Sequence, residues 1–314
     1  MKVVLCSFAD SSFCNVIKRF QYEAMESGFF DDVVVYTEKD FDDDFWSRHH
    51  EFIEKNPRGY GYWMWKPYVV NRTLKSIDEG DILVYLDTGC GINKTGVKKF
   101  NHYLRLVKES NLGCVCFYNG YIEKDWCKGD VLDYFKVRDN KEITDSQQIM
   151  GGIFFVRKNR NICQLIDRWE HTTSNYYHLL DDSESESPNL PGFRENRHDQ
   201  TIFSLLLKTT GGMVCLPDTE VEVDMPYRTL AQRTYRRFKH NPILAIRDRE
   251  GVVYEKKNII YYWIDCIRWD IENYIADKFP NSEACTVGKE GFKLKLCKII
   301  VGRLKKYTNE KVPH

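Results

Sequence analysis

A single carboxylate follows the clearest β-strand that the sequence predicts. The segment DILVYLD (81–87) has the composition of a buried strand that ends at Asp87, and Thr88 and Gly89 come next. In open parallel sheets, ligands bind outside the carboxyl ends of the strands. Carboxylate oxygens suit a divalent cation, and a cation so placed commonly bridges a diphosphate. Asp87 is therefore a candidate metal and diphosphate ligand, and Gly89 leaves backbone space for a bulky ligand. The structural alternative is that Asp87 caps the turn that follows the strand.

A lysine stands among aromatic residues in the stretch GYGYWMWKPYVV (59–70). Pro67 suits the first turn of a helix, so the pattern predicts that Lys66 opens the helix that precedes the Asp87 strand. A lysine at that edge of the sheet could offset the charge of a phosphate. Tyr62, Trp63 and Trp65 could stack on a nucleobase or a sugar, although most aromatic residues at such spacing belong to the core.

A second carboxylate, Asp199, follows His198 at the predicted start of a helix over 199–208. A helix start holds its side chain at a fixed place, which suits a general base that must meet a substrate hydroxyl. The structural alternative is an N-cap, for which Asp is well suited. Further upstream, Gly151 and Gly152 open a predicted strand, where glycine permits either close approach of a sugar ring or a β-bulge.

A basic run, QRTYRRFKHNPILAIR (232–247), follows these segments. Arginine forms paired hydrogen bonds with phosphate, so this run is a candidate diphosphate clamp. His240 is a candidate metal or phosphate ligand within it. The alternative is an ordinary solvated loop, with the histidine serving a structural purpose. The candidate phosphate ligands in the run are Arg233, Arg236, Arg237 and Arg247.

The elements that must position these residues alternate between strands and helices. A strand at 2–8, a helix at 12–27 and a strand at 32–37 predict the opening of a parallel α/β sheet. The segment 181–193 is polar and contains proline, which predicts a mobile loop. We predict a domain over 1–250 and a helical extension over 251–314 with amphipathic helices at 258–279 and 292–307. Further strands are predicted at 81–87, 113–118, 151–158 and 211–217, and further helices at 43–55, 66–78, 95–109, 161–177 and 199–208.

The overall charge argues against generalised nucleic-acid binding, because Lys+Arg and Asp+Glu both number 46 and the formal net charge is zero. The 11 cysteines are scattered without paired C-x-x-C motifs, which favours reduced thiols in a cytoplasmic protein. No apolar run reaches the ~18 residues of a membrane span. The lysine-rich helix at 292–307 indicates either peripheral attachment to an anionic membrane surface or packing on the catalytic domain.

Three segments together resemble the nucleotide-sugar-dependent glycosyltransferases of the GT-A fold. The run WKPYVVNRTLKSIDEGDILVYLDTGCGI (65–92) is similar to the microbial and large-virus surface-polysaccharide type. Related branches end the corresponding strand in Asp-x-Asp, whereas Asp87-Thr88-Gly89 stands here. This departure removes the second carboxylate of the usual pair, so that either metal dependence is weaker or a ligand comes from elsewhere in the chain.

The other two segments resemble the walls of the sugar and acceptor pockets in the same enzymes. They are DSQQIMGGIFFVRKN (145–159) and RENRHDQTIFSLLLK (194–208), so that the resemblance spans roughly 59–208. It implies a GT-A-like, mainly parallel mixed sheet flanked by helices, with the C-terminal helical extension outside the family pattern. The sugar or acceptor residues that it implies are Asp145, Gln147, Gly151, Gly152 and His198.

The resemblance implies transfer of a hexose-type sugar, with galactose as the guess, from a UDP-sugar to a saccharide or lipid-linked saccharide acceptor in surface polysaccharide synthesis. Mn²⁺ or Mg²⁺ would assist at Asp87 and His240. The expected stereochemistry is inversion with Asp199 as the base and Asp145 as the alternative base. In a retaining enzyme neither carboxylate needs to act as a base, and the sequence does not decide between the two outcomes.

Two other functions stay open at the level of sequence. The missing second carboxylate is compatible with a catalytically weak protein that only binds carbohydrate or a nucleotide sugar. A sugar-nucleotide nucleotidyltransferase would need a glycine-rich phosphate loop after the first strand. The residues in that place are Ala9, Asp10, Ser11 and Ser12, which include no glycine.

Overall fold

The computed structural model of the protein describes residues 1–221 and 240–249. Its main sheet has six strands in the order β2-β1-β3-β6-β5-β7. The neighbours β1 and β2, β1 and β3, and β5 and β7 run parallel, while β6 is antiparallel to both of its neighbours. The strands are β1 (Val3–Phe8), β2 (Asp32–Tyr36), β3 (Ile82–Leu86), β4 (Gly91–Ile92), β5 (Cys114–Ile122), β6 (Gln147–Arg157), β7 (Val214–Leu216) and β8 (Ile243–Leu244).

Helices flank the sheet, which confirms the predicted α/β class with a mixed sheet. The short strands β4 and β8 form a separate antiparallel pair. The helices are α1 (Cys14–Ser27), α2 (Asp43–Lys55), α3 (Gly59–Tyr62), α4 (Lys66–Ser76), α5 (Val97–Glu109), α6 (Glu123–Trp126), α7 (Gly129–Tyr134), α8 (Lys141–Thr144), α9 (Arg160–Asn175), α10 (Tyr177–Leu180) and α11 (Asp199–Thr210).

Hydrophobic side chains cover both faces of the sheet. Strand β3 is buried along its whole length, as expected for a strand with helices on either side. Successive side chains of a strand point to opposite faces, so Phe154 of β6 packs against Trp169 and Phe203, while Phe155 packs near Phe100 and Tyr103. The two resulting cores hold the ends of β1 and β3 in fixed positions.

The segment 181–193 contains no helix or strand, in agreement with the sequence pattern, but many hydrogen bonds tie it to the start of α7. The buried Lys128 donates to Ser183 Oγ at 3.0 Å and to the carbonyl oxygen of Asp181 at 3.4 Å. Asp130 accepts from the backbone amides of Glu186 and Ser187. These contacts join residues about 50 positions apart, so the local composition could not indicate them.

The predicted C-terminal helices at 258–279 and 292–307, and the boundary between 250 and 251, lie outside the described residues and stay predictions. Within the described ranges, no helix is long and apolar enough to cross a membrane. The eight described cysteines are all free.

Candidate active site

A cleft of about 590 Å³ opens at the carboxyl ends of β1 and β3. Its walls include residues 8–10 at the end of β1, residues 87–90 after β3, residues 57–60 and 63 before α4, and residues 197–200 at the start of α11. This is the edge at which ligands bind in open α/β sheets. Three of the residues predicted from sequence, Lys66, Asp87 and Asp199, meet in this cleft.

Lys66 lies between two carboxylates at the floor of the cleft. Its Nζ is 2.9 Å from Asp199 Oδ2 and 3.4 Å from Asp87 Oδ1, and it donates to the carbonyl oxygen of Gly151 at 3.2 Å. The Lys66 side chain is only 4% exposed. Because Pro67 occupies the next position in the first turn of α4, the lysine leaves the helix start at a fixed place. Each of its three ammonium hydrogens thus has an acceptor within reach.

Burial and charge act in opposite directions on this cluster. Burial acts to lower the pKa of Lys66, but the charges of Asp199 and Asp87 outweigh it, and the pKa rises above its ordinary value. Burial raises the pKa of Asp199 to about 6, although the nearby Lys66 opposes the rise. At pH 7 the cluster therefore holds an ammonium group beside an ionised carboxylate of more than ordinary basicity.

Asp199 Oδ2 faces the Lys66 ammonium group as an ion pair at 2.9 Å and has no other hydrogen-bond partner among the described residues. A buried carboxylate oxygen normally has a hydrogen-bond partner. Because a carboxylate oxygen can accept more than one hydrogen bond, Asp199 can also accept from a hydroxyl group in the cleft.

Asp87 is the more open of the two carboxylates, with 47% of its side chain exposed. Its Oδ1 accepts from the Tyr85 hydroxyl at 3.0 Å, and its backbone amide donates to the Gly152 carbonyl oxygen at 2.8 Å. A Cβ on Gly152 would lie 2.4 Å from Asp87 Oδ2. The glycine predicted from sequence to face a sugar is thus needed, in this structure, for the position of Asp87. Gly151 is similarly close to α11, since a Cβ there would lie 3.2 Å from Gln200 Cα.

The loop after Asp87 is held by an arginine that the sequence analysis missed. Arg19, fully buried on α1, donates to the carbonyl oxygens of Thr88 and Cys90, both at 2.6 Å. Its Nε also lies 3.1 Å from Asp248 Oδ2. Gly89 accepts from the Asp248 amide at 2.9 Å, and this contact brings Arg247 to the wall of the cleft. In the sequence, the indication for Arg19 was a charged residue on the apolar face of the predicted helix at 12–27.

The start of α11 supplies two more residues of the wall. His198 is buried, and its Nδ1 lies 2.7 Å from the Leu180 carbonyl oxygen; burial lowers the pKa of this histidine. Gln200, which the sequence analysis did not single out, donates to Gln148 Oε1 at 2.6 Å and accepts from the Gly151 amide at 3.2 Å. In the sequence, only the position of Gln200 directly after Asp199 at a predicted helix start pointed to this residue.

Several predicted site residues lie elsewhere. Asp145 is exposed and pairs with Lys124 at 2.6 Å, and Gln147 is exposed at the first position of β6. Neither these two nor the exposed His240 belongs to the described lining of the cleft. Trp63 and Trp65 line it, whereas Tyr62 is packed in the core. Arg233, Arg236 and Arg237 lie outside the described residues.

The described side chains do not form a complete metal site. No group of three or more His, Cys, Asp or Glu residues within 1–221 and 240–249 is placed to hold a metal ion. Asp87 offers oxygens at the cleft, but the Lys66 ammonium already lies 3.4 Å from Oδ1. Asp248, also in the wall, forms its ion pair with Arg19. The predicted divalent cation therefore stays a prediction.

Comparison with known proteins gives structural likeness only. No protein-family model matches the chain, and no curated protein matches it. A glycosyltransferase involved in glycosylation of the major capsid of PBCV-1 aligns with TM-score 0.45 and 9% identity over 80% of this chain and 96% of its own. Mouse xyloside xylosyltransferase 1 aligns with TM-score 0.41 and 10% identity, covering 78% and 97% of the two chains.

The galactosyltransferase LgtC, in complex with donor and acceptor sugar analogues, aligns with TM-score 0.36 and 13% identity. That alignment covers 80% of this chain and 84% of LgtC. Since identities this low speak to overall fold alone, the chemistry of the cleft has to be argued from its own residues.

Proposed function

We propose that the protein is a glycosyltransferase that moves a hexose-type sugar, with galactose as the first choice, from a UDP-sugar to a saccharide or lipid-linked saccharide acceptor. The observation that carries the proposal is the contact between Lys66 and Asp199, 2.9 Å apart in the cleft at the carboxyl ends of β1 and β3, with Asp87 beside them. The sequence resemblance of the segments that supply these three residues supports it.

Asp199 is the proposed base of an inverting reaction. The acceptor hydroxyl would donate its proton to Asp199 while its oxygen forms the bond to the anomeric carbon of the sugar. The bond between that carbon and the diphosphate oxygen breaks at the same time, and UDP leaves with the electron pair. A base is most effective when its pKa lies near the working pH, and a pKa of about 6 for Asp199 meets that condition better than an ordinary aspartate does.

Lys66 is better suited to holding the two carboxylates than to contacting phosphate. Its ammonium group has Asp199, Asp87 and the Gly151 carbonyl as acceptors and is 4% exposed. Its charge keeps Asp199 ionised and near Asp87. Arg247 lines the cleft next to the Asp87 loop and is the described residue that we propose for the leaving diphosphate. We retain Arg233 and Arg237 as proposed partners in the same task.

The main alternative is a protein that binds a nucleotide sugar or a carbohydrate without efficient transfer. Asp87-Thr88-Gly89 carries one carboxylate where related sequences carry two, and this feature favours the alternative. The two functions separate in one assay. The protein would be incubated with a panel of nucleotide sugars, saccharide acceptors and Mn²⁺, and release of the nucleoside diphosphate would be measured. Acceptor-dependent release supports transfer, while donor binding without release for every pair supports the alternative.

We also propose, from the sequence of 292–307, that the C-terminal segment attaches the protein to the anionic cytoplasmic face of a membrane. Residues 287–314 carry eight bases and two acids, a balance that favours anionic lipid. Sedimentation with phosphatidylserine-containing liposomes tests this. The full chain should sediment with the liposomes, and a chain ending at residue 286 should stay in the supernatant; equal sedimentation of the two would contradict the proposal.

A further inference from the structure

Five consecutive residues between α2 and α4 have a left-handed backbone. The φ angles of residues 59–63, here called the aromatic turn, lie between 52° and 80°. Three of them are Tyr60, Tyr62 and Trp63, and bulky side chains seldom adopt this conformation. Such strain persists only where the surroundings fix it, and it is concentrated at binding sites. The aromatic turn therefore needs an explanation beyond chain reversal.

Hydrogen bonds and ring contacts fix the aromatic turn. The Gly59 carbonyl oxygen accepts from the Trp63 amide and from Trp65 Nε1, both at 3.0 Å. A Cβ on Gly59 would lie 2.5 Å from the Trp63 indole, so the indole packs directly over this glycine. The Trp63 ring consequently packs against the backbone of the aromatic turn, and it also lines the cleft.

The two cleft-lining rings of the turn face different ends of the cleft. The Tyr60 ring lies 6.0 Å from that of Phe8, at the end of β1. The Trp63 ring lies 5.6 Å from that of His198, the residue before Asp199. Tyr62, which is 8% exposed, stacks on the same histidine at 4.6 Å and completes the support from the core. Trp63 is thus a half-buried aromatic residue of the cleft wall beside the residue that precedes Asp199.

We propose that Trp63 forms the acceptor subsite and that its indole ring binds the apolar face of an uncharged sugar ring. The inference rests on the proposed function, because it takes Asp199 as the group that meets the acceptor hydroxyl. The donor nucleotide belongs at the carboxyl ends of β1 and β3, next to residues 8–10 and 87–90. The Trp63 ring lies beside His198, the residue before Asp199, and we place the incoming acceptor hydroxyl there.

The charges near Trp63 favour a neutral acceptor. Arg58 lines the same end of the cleft, but its Nη1 lies 3.0 Å from Asp182 Oδ2. Arg197 pairs with Glu195 at 2.9 Å, and its guanidinium lies over the rings of Tyr121 and Trp126. Both cations are therefore compensated by carboxylates. An aromatic surface among neutralised charges suits the C–H face of a hexose or pentose ring.

The test separates acceptor binding from donor use. With Trp63→Ala, the KM for the saccharide acceptor should rise about tenfold, equivalent to about 1.4 kcal/mol. The KM for the UDP-sugar and the rate of donor hydrolysis by water should stay within about twofold, because water needs no stacking surface. Trp63→Phe should recover part of the acceptor affinity and guards against a folding defect in the alanine variant.

Trp46→Ala is the matched control, since Trp46 is another half-buried tryptophan of this region but is not part of the cleft lining that the structure describes. It should leave the acceptor KM unchanged. The inference is overturned if Trp63→Ala leaves the acceptor KM unchanged, or if it raises the donor KM in the hydrolysis assay. Failure of the proposed function is a different result, in which the wild-type protein neither transfers sugar from any donor nor hydrolyses one.

Discussion

Lys66 Nζ and Asp199 Oδ2 lie 2.9 Å apart, both on side chains that are 4% exposed. The two residues are 133 positions apart in the sequence, and each stands at the start of a helix. An ammonium group with this little access to water is stable only beside negative charge. The pair therefore ties the start of α4 to the start of α11 and fixes the proposed base at the floor of the cleft.

Removing the Lys66 charge should damage both folding and catalysis. Lys66→Met leaves Asp199 buried without its counterion, a change that typically costs about 3–5 kcal/mol in the free energy of unfolding. Urea denaturation measures this loss. Lys55→Met, at a lysine that is 75% exposed, is the control and should change stability by less than about 0.5 kcal/mol. Equal stability of the two variants would show that the buried pair contributes nothing.

The rate of transfer should fall in acid. Burial raises the pKa of Asp199 to about 6, and only the ionised carboxylate can accept a proton from the acceptor. Below pH 6 the ionised fraction drops about tenfold for each pH unit, so kcat/KM should decline along a limb with a midpoint near pH 6, because this parameter reports the pKa of the free enzyme. A pH profile of kcat/KM for the acceptor measures it. A profile flat down to pH 4.5 would exclude Asp199 as the base.

Gly152→Ala should displace Asp87, because the new Cβ would lie 2.4 Å from Asp87 Oδ2. Since Asp87 is half-exposed and can move toward solvent, we expect activity to fall much more than stability. Gly151→Ala is the graded comparison, with its nearest contact at 3.2 Å, and should lose less activity. Steady-state kinetics and thermal unfolding on both variants supply the test, and full activity of Gly152→Ala would contradict the importance of the Asp87 position.

Most of the helices and strands, and part of the candidate site, could be predicted from the sequence. Apolar periodicity predicted the strands at 2–8 and 81–87 and the helices around them, because these elements bury continuous or one-sided apolar surface. Strand β6 begins at Gln147 instead of Gly151, since its first two residues are glutamines. They join the sheet because Gln147 pairs with Ile122 and Ile149 with Tyr118. Its antiparallel direction depends on strand order, which hydrophobic periodicity does not encode.

The rule that ligands bind at the carboxyl ends of strands predicted that Lys66 and Asp87 lie at the same edge of the sheet. It did not predict which groups Lys66 contacts. The sequence favoured phosphate as that partner, whereas the described structure places two carboxylates there. The left-handed backbone of the aromatic turn could not be predicted from the sequence either, because tyrosine and tryptophan seldom have positive φ. Long-range charge pairs and unusual backbone conformations depend on tertiary packing, which is why they appear only in the folded chain.

The most direct measurement of the central claim compares the wild-type protein with Asp199→Asn in the same transfer assay. The amide keeps the size of the carboxylate but cannot accept the acceptor proton, so transfer should fall by about 10²–10⁴-fold. Binding of the UDP-sugar should be retained, and NMR of the wild-type product should show an inverted anomeric configuration. Asp145→Asn, at a residue that does not line the described cleft, should transfer normally. Transfer by Asp199→Asn at the wild-type rate, or retention of the anomeric configuration, would contradict the account.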